Sequence, residues 1–153
     1  MPVIKISIWI DLAVEECFDL ARDISVHPLT VPHTKERAVR GVTEGHINEG
    51  ERVTFEGVHF GVRQELSSRV QIMERPHLFV DVMEKGAFHS MTHVHLFEEE
   101  KGGTRMTDII EFYSPLGWIG KLADKLFVEH HMKSFLVRRS VNLKRIGEGR
   151  GQG

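Results

Sequence analysis

The spacing of hydrophobic residues changes period twice along the chain. From Val3 to Ile10 it alternates, with Ile4, Ile6, Ile8 and Ile10 on one side and Val3, Lys5, Ser7 and Trp9 on the other, which predicts a strand with one strongly apolar face. Val14, Cys17, Phe18, Ala21 and Ile24 then follow at helical spacing, with Asp11 as the expected N-cap. Cys17 lies on that apolar stripe and reads as a buried core thiol. Pro28 and Pro32 exclude a long helix next and leave a short helical turn and a loop. From Glu36 to Tyr113 the period returns to two. The runs ERAVRGV, ERVTFEG, VRQELSSRVQIME, HLFVDVM, AFHSMTHVHLFEEE and TRMTDIIEFYS are separated by turn signals such as Gly61, Lys85-Gly86 and Gly102-Gly103. Six antiparallel strands in succession join the first to make seven. Pro115 closes the last strand, and residues 117–147 form the longest helical candidate. Its first half carries Ile119, Leu122, Ala123, Leu126 and Phe127, and its second Val128, Met132, Phe135, Leu136, Leu143 and Ile146. Two stripes predict a helix contacted on two sides, or bent. One domain over residues 1–147 is expected, with 148–153 as a flexible tail, and the class is α+β.

Strand parity predicts which face of the sheet is inside. One set collects Phe55, Phe79, Met83, Met91, Phe97, Met106 and Ile110, and with them Asp81, His93, His95 and Asp108. The opposite set is rich in Thr, Val and Glu and suits a solvated face. A hairpin at Gly102-Gly103 brings His93 and His95 beside the strand that carries Asp108. Buried polar groups must be paired or wet. A His/Asp cluster among Phe and Met therefore points to a cavity with apolar walls and a few polar anchors, the anatomy of a small-molecule pocket.

Composition narrows the partners. The chain of 153 residues has a formal net charge of -2, which offers no electrostatic case for nucleic acid or an anionic membrane. A single cysteine rules out an internal disulfide framework. No apolar run approaches the roughly 18 residues that span a bilayer, and the N-terminus has no signal-peptide core. A cytoplasmic protein without membrane insertion, monomeric or homodimeric, is expected. Ten histidines is the one compositional oddity. His59 is expected at a hairpin tip near the cavity mouth. His27 and His33 are read as solvated loop residues, His130 as continuing the Leu122/Leu126 stripe toward the sheet, and RRSVNLKR as a solvated basic face. No nucleophile elbow, phosphate loop or zinc cysteine pattern is present. No cofactor and no metal are expected, with His-x-His plus aspartates kept as an alternative ligand set.

Several stretches, above all FVDVMEKGAFHSMTHVHLF and GTRMTDIIEFYSPLG, resemble the START/birch-pollen-allergen-like SRPBCC superfamily, and its bacterial polyketide-cyclase-like branch in particular. The resemblance runs essentially from residue 3 to 147. It implies the helix-grip fold, a seven-stranded antiparallel sheet wrapped around a long C-terminal helix, with two short helices between strands 1 and 2 and a cavity between sheet and helix. The expected function is binding of a hydrophobic small molecule, lipid-like or polyketide-like. His93, His95, Asp81 and Asp108 are its expected polar contacts. Its walls come from the Phe and Met positions above, Ile110, His59, and Met132 and Leu136 of the helix. The alternative is a cyclase or dehydratase using a His/Asp pair for acid–base chemistry.

Overall fold

Alternating strands build one seven-stranded antiparallel sheet in the order β1-β7-β6-β5-β4-β3-β2. The computed structural model describes residues 2–59, 61–113 and 127–151. In chain order the elements are β1 (Val3–Ile10), α1 (Val14–Ala21), α2 (His27–Thr30), a 3-10 turn (Pro32–Thr34), β2 (Arg37–Gly41), β3 (Arg52–His59), β4 (Val62–Glu74), β5 (Leu78–Lys85), β6 (Ser90–Glu100), β7 (Gly103–Tyr113) and α3 (Glu129–Gly151). β2 to β7 form a meander, and β1 closes beside β7. This is the expected helix-grip arrangement, with both short helices between β1 and β2.

The β6–β7 hairpin turns one residue earlier than Gly102-Gly103. Glu100 pairs with Gly103, and the two residues between them, Lys101 at φ 50° and Gly102 at φ 81°, are both left-handed. That is the two-residue turn whose twist matches the flanking strands. Gly103 is needed for another reason: a Cβ there would lie 2.5 Å from the Ile10 carbonyl oxygen and 2.7 Å from the Trp9 ring.

The inner face of the sheet carries Phe79, Phe97, Met106, Ile110 and Phe112, all buried. Three apolar clusters cover parts of it. α1 wedges the fully buried Phe18 edge-on against Phe79 and Phe97, at 5.4 and 5.2 Å between ring centroids, with Leu143 of α3 in the same cluster. Burying such a ring contributes about 1.5–3 kcal/mol. Val128, just before α3, and Met132 and Leu136 in its first half, spaced by four, pack onto Ile4, Ile110 and Phe112. Ile24, Ile47, Val53 and Val70 form the third cluster, toward β2 to β4.

Three local expectations need correction. Asp11 does not cap α1: Ala13 holds the N-cap position with no side-chain cap, because a tight turn from Ile10 to Leu12 leaves Asp11 too early. The Asp11 N–H donates instead to Glu148 Oε2 at 2.9 Å. α3 runs on to Gly151, past the expected end at Gly147. Gly147 packs inside, where a Cβ would approach Leu12 and Leu20 to 3.0 Å. His130 is exposed and its neighbour His131 is turned inward, because the Val128–Met132–Leu136 stripe sets the helix rotation. The expected beginning of this helix, up to Leu126, lies outside the described residues.

Candidate functional site

Three adjacent strands carry polar residues on the inner face: Asp81 on β5, His93 and His95 on β6, and Asp108 on β7. The ladder sets Asp81 opposite His93, and His95 opposite Asp108. The side chains bond along the other diagonals. His95 Nε2 lies 2.7 Å from Asp81 Oδ2, and His93 Nε2 lies 2.8 Å from Asp108 Oδ1. The two imidazoles stack with centroids 3.6 Å apart, and Phe79 stacks on the other face of His95 at 3.9 Å. From above, α3 lowers Arg139, whose Nη1 donates to the same Asp108 Oδ1 at 3.0 Å.

Arg139 is only 4% exposed, so the expectation that RRSVNLKR forms a solvated face fails at its second arginine. Arg139 follows Leu136 by three and precedes Leu143 by four, which places it on the buried stripe. That spacing was the available signal.

These five groups hold a charge balance. Burial opposes charge on Asp108, but Arg139 and the two histidines hold its carboxyl well below the usual carboxylate range. Burial likewise opposes charge on Asp81, and His95 outweighs it, so this acid too is ionised. Burial disfavours a proton on His95, yet contact with Asp108 and Asp81 outweighs it and raises its pKa. Burial, joined by the charge on stacked His95, pushes His93 down to about 4. With a proton on His95, Asp81 and Asp108 are offset by His95 and Arg139, while His93 is neutral near pH 7. Ionised Asp108 can only accept, so His93 donates through Nε2 and keeps Nδ1 as an unprotonated acceptor.

A cavity of about 360 Å³ lies over this cluster, between the sheet and α3. Phe55, Phe79, Met91, Ile110 and Met132 line it as apolar walls, and His93, His95, Asp81 and His59 line it as polar ones. Five expected wall or anchor residues do not. Phe97, Met106 and Leu136 are consumed in core packing, Met83 lies by the turn at Gly86, and Asp108 sits behind the histidines with no exposed surface. Phe135 of α3 joins the wall, and Phe88 and Arg139, which strand parity does not single out, complete the lining.

A second polar group stands along the cavity. His27 Nε2 lies 3.3 Å from Glu36 Oε1, and Thr34 donates to Glu36 Oε2 at 2.9 Å. Burial opposes the Glu36 charge, but His27 and Thr34 prevail and lower its pKa. His59 Nδ1 and His131 Nε2 are 3.2 Å apart, and Phe135 packs against His59 and His33. Burial lowers the pKa of His59, His131 and His33. His27 is therefore a cavity residue and not a solvated one, because the Pro28 turn folds it back over Phe55, with ring centroids 4.5 Å apart.

Asp81, His93 and His95 bring ligand-type atoms within 4.8 Å of one another. Each Nε2 there already meets a carboxylate oxygen at hydrogen-bond distance, and the charges balance with a proton on His95.

The fold recurs in solved structures. TTHA0849 from Thermus thermophilus superposes with a TM-score of 0.78 at 17% identity, over 94% of this chain and 95% of that one. Ginseng major latex-like protein 151 from Panax ginseng gives 0.68 at 11%, over 95% and 97%. Ara h 8.0201 gives 0.62 at 10%, over 93% and 97%. At these identities the likeness is one of fold, and it agrees with the START/birch-pollen-allergen-like resemblance. No family model and no curated protein matches the chain. Among the described residues, no helix is long and apolar enough to cross a membrane.

Proposed function

We propose that the protein binds a hydrophobic small molecule, lipid-like or polyketide-like, in the cavity between the sheet and α3. The observation that carries this reading is the cavity itself: apolar walls of Phe, Met and Ile lead to His93, His95, Asp81 and Arg139, whose charges Asp108 behind them balances. Its volume lies in the range of small-molecule pockets. Apolar burial would supply affinity, and the cluster would orient one polar end. A cytoplasmic protein, monomeric or homodimeric and without nucleic-acid partners, fits the balanced charge.

Native mass spectrometry of the purified protein tests this, followed by denaturation and identification of any small molecule released. An apolar compound with one polar end, retained natively and lost on denaturation, is the expected result. A ligand-free protein that also refuses a panel of apolar compounds would defeat the reading.

One observation favours a second reading, an enzyme of the cyclase or dehydratase kind. Neutral His93, oriented by Asp108, has the arrangement of a general base. Turnover of a carbonyl substrate that disappears in His93→Gln would support it.

A further inference from the structure

Arg139 is a buried guanidinium that borders the cavity. It is 4% exposed, and its one hydrogen bond runs from Nη1 to Asp108. Among the described residues its Nε and Nη2 donors meet no acceptor. Buried donors without partners are costly, and a buried guanidinium more so. Beside it stands the converse group. His93 spends its one N–H on Asp108 and is left with the Nδ1 lone pair. Arg139 Nη1 and His93 Nε2 reach the same oxygen, at 3.0 and 2.8 Å, and both residues line the cavity, so the unused donors and the unused acceptor belong to one end of it.

We propose that these two residues hold the carboxyl group of an apolar organic acid, Arg139 donating to one oxygen and His93 Nδ1 sharing a proton with the other. This rests on the cavity reading above and names its ligand class. A bare carboxylate would leave the balanced cluster with an excess negative charge close to Asp108 and Asp81. One proton, shared between ligand and His93, removes that excess. Above about pH 5 the free acid and free His93 are both unprotonated. Binding therefore takes up one proton, and affinity falls as pH rises. The charged groups facing His93 are Asp81 from β5, His95 on its own strand, Asp108 from β7 and Arg139 from α3. Arg22, Asp23, His27, Glu36, His59, Glu65 and His131 stand farther along the cavity.

Isothermal titration of the wild-type protein with 2-naphthoic acid, its methyl ester and its primary amide tests this, in two buffers of different ionisation heat and between pH 6 and 8. The acid should bind about tenfold or more tighter than the ester at pH 6. It should take up one proton per site and weaken about tenfold per pH unit. Arg139→Lys should lose most of that preference while still binding the ester. Equal binding of acid and ester, or binding without proton uptake, overturns the carboxyl assignment and leaves the apolar cavity standing. Failure of all three compounds to bind overturns the cavity reading itself.

Discussion

His95 faces Asp108 directly across the β6–β7 ladder, yet its Nε2 turns away to Asp81 on β5, at 2.7 Å. Asp108 Oδ1 gathers His93 Nε2 and Arg139 Nη1 at 2.8 and 3.0 Å, with His95 Nδ1 3.2 Å away. Each histidine thus bonds the aspartate opposite its neighbour. The arrangement raises the pKa of His95 and lowers that of His93, although the two are alternate residues of one strand. Their stacking at 3.6 Å makes a second charge unfavourable.

The split has a sign in stability. His93, with His33, His59 and His131, has a native pKa below 6.5. Below 6.5 the unfolded chain binds protons that the native state refuses, so stability is lost as pH falls, toward about 4 for His93. His95 acts oppositely: its contribution is present below 6.5 and is lost as pH rises through its raised native value. Urea unfolding of His93→Gln should show a shallower acid-side loss than wild type. The cost of His95→Gln should shrink from about pH 6 to about pH 9.

Arg139 and Asp108 should depend on each other. Arg139→Met leaves a fully buried carboxylate without its cation and should cost about 3–5 kcal/mol in urea unfolding. Asp108→Leu combined with Arg139→Met should recover much of that loss, because the uncompensated charge is then gone.

Gly103→Ala should destabilise by about 1–3 kcal/mol, since its methyl would meet the Ile10 carbonyl and the Trp9 ring at the edge of the sheet. The neighbouring Gly102→Ala should also destabilise, through its left-handed φ of 81° and not through contact. Moving Lys101 and Gly102 out of register would separate the two effects in thermal unfolding.

Cys17 should be inert in the native protein. It has no exposed surface, and burial pushes its thiol up to about 12. Reaction with a thiol-specific disulfide reagent at about pH 8 should proceed only at the rate of unfolding and become fast in denaturant.

Much of this was legible in the chain. The period-two runs placed His93, His95, Phe97 and Asp108 on one face, and glycines marked the hairpin that joins their strands. Those features depend on local periodicity. Two others depend on rotation and rotamer. Arg139 sits among basic residues whose charge masks a position that three- and four-residue spacing puts on the buried stripe. The diagonal pairing of His95 Nε2 with Asp81, rather than with Asp108 directly opposite, is a choice of side-chain rotamer. Likewise, Phe97 and Met106 share parity with Phe79 and Met91, but the first two are enclosed in the core while the others border the cavity, a difference that strand periodicity does not carry.

The methionines offer the most direct test of the central claim, that the cavity takes an apolar molecule. Met91 and Met132 line the cavity, whereas Met83 shares the inner face and does not. Methyl-labelled methionine spectra, assigned through single Met→Leu variants, should be recorded during titration with methyl 2-naphthoate. The Met91 and Met132 signals should move together to saturation while Met83 stays in place. A titration in which neither moves, or in which Met83 moves alone, would contradict the account.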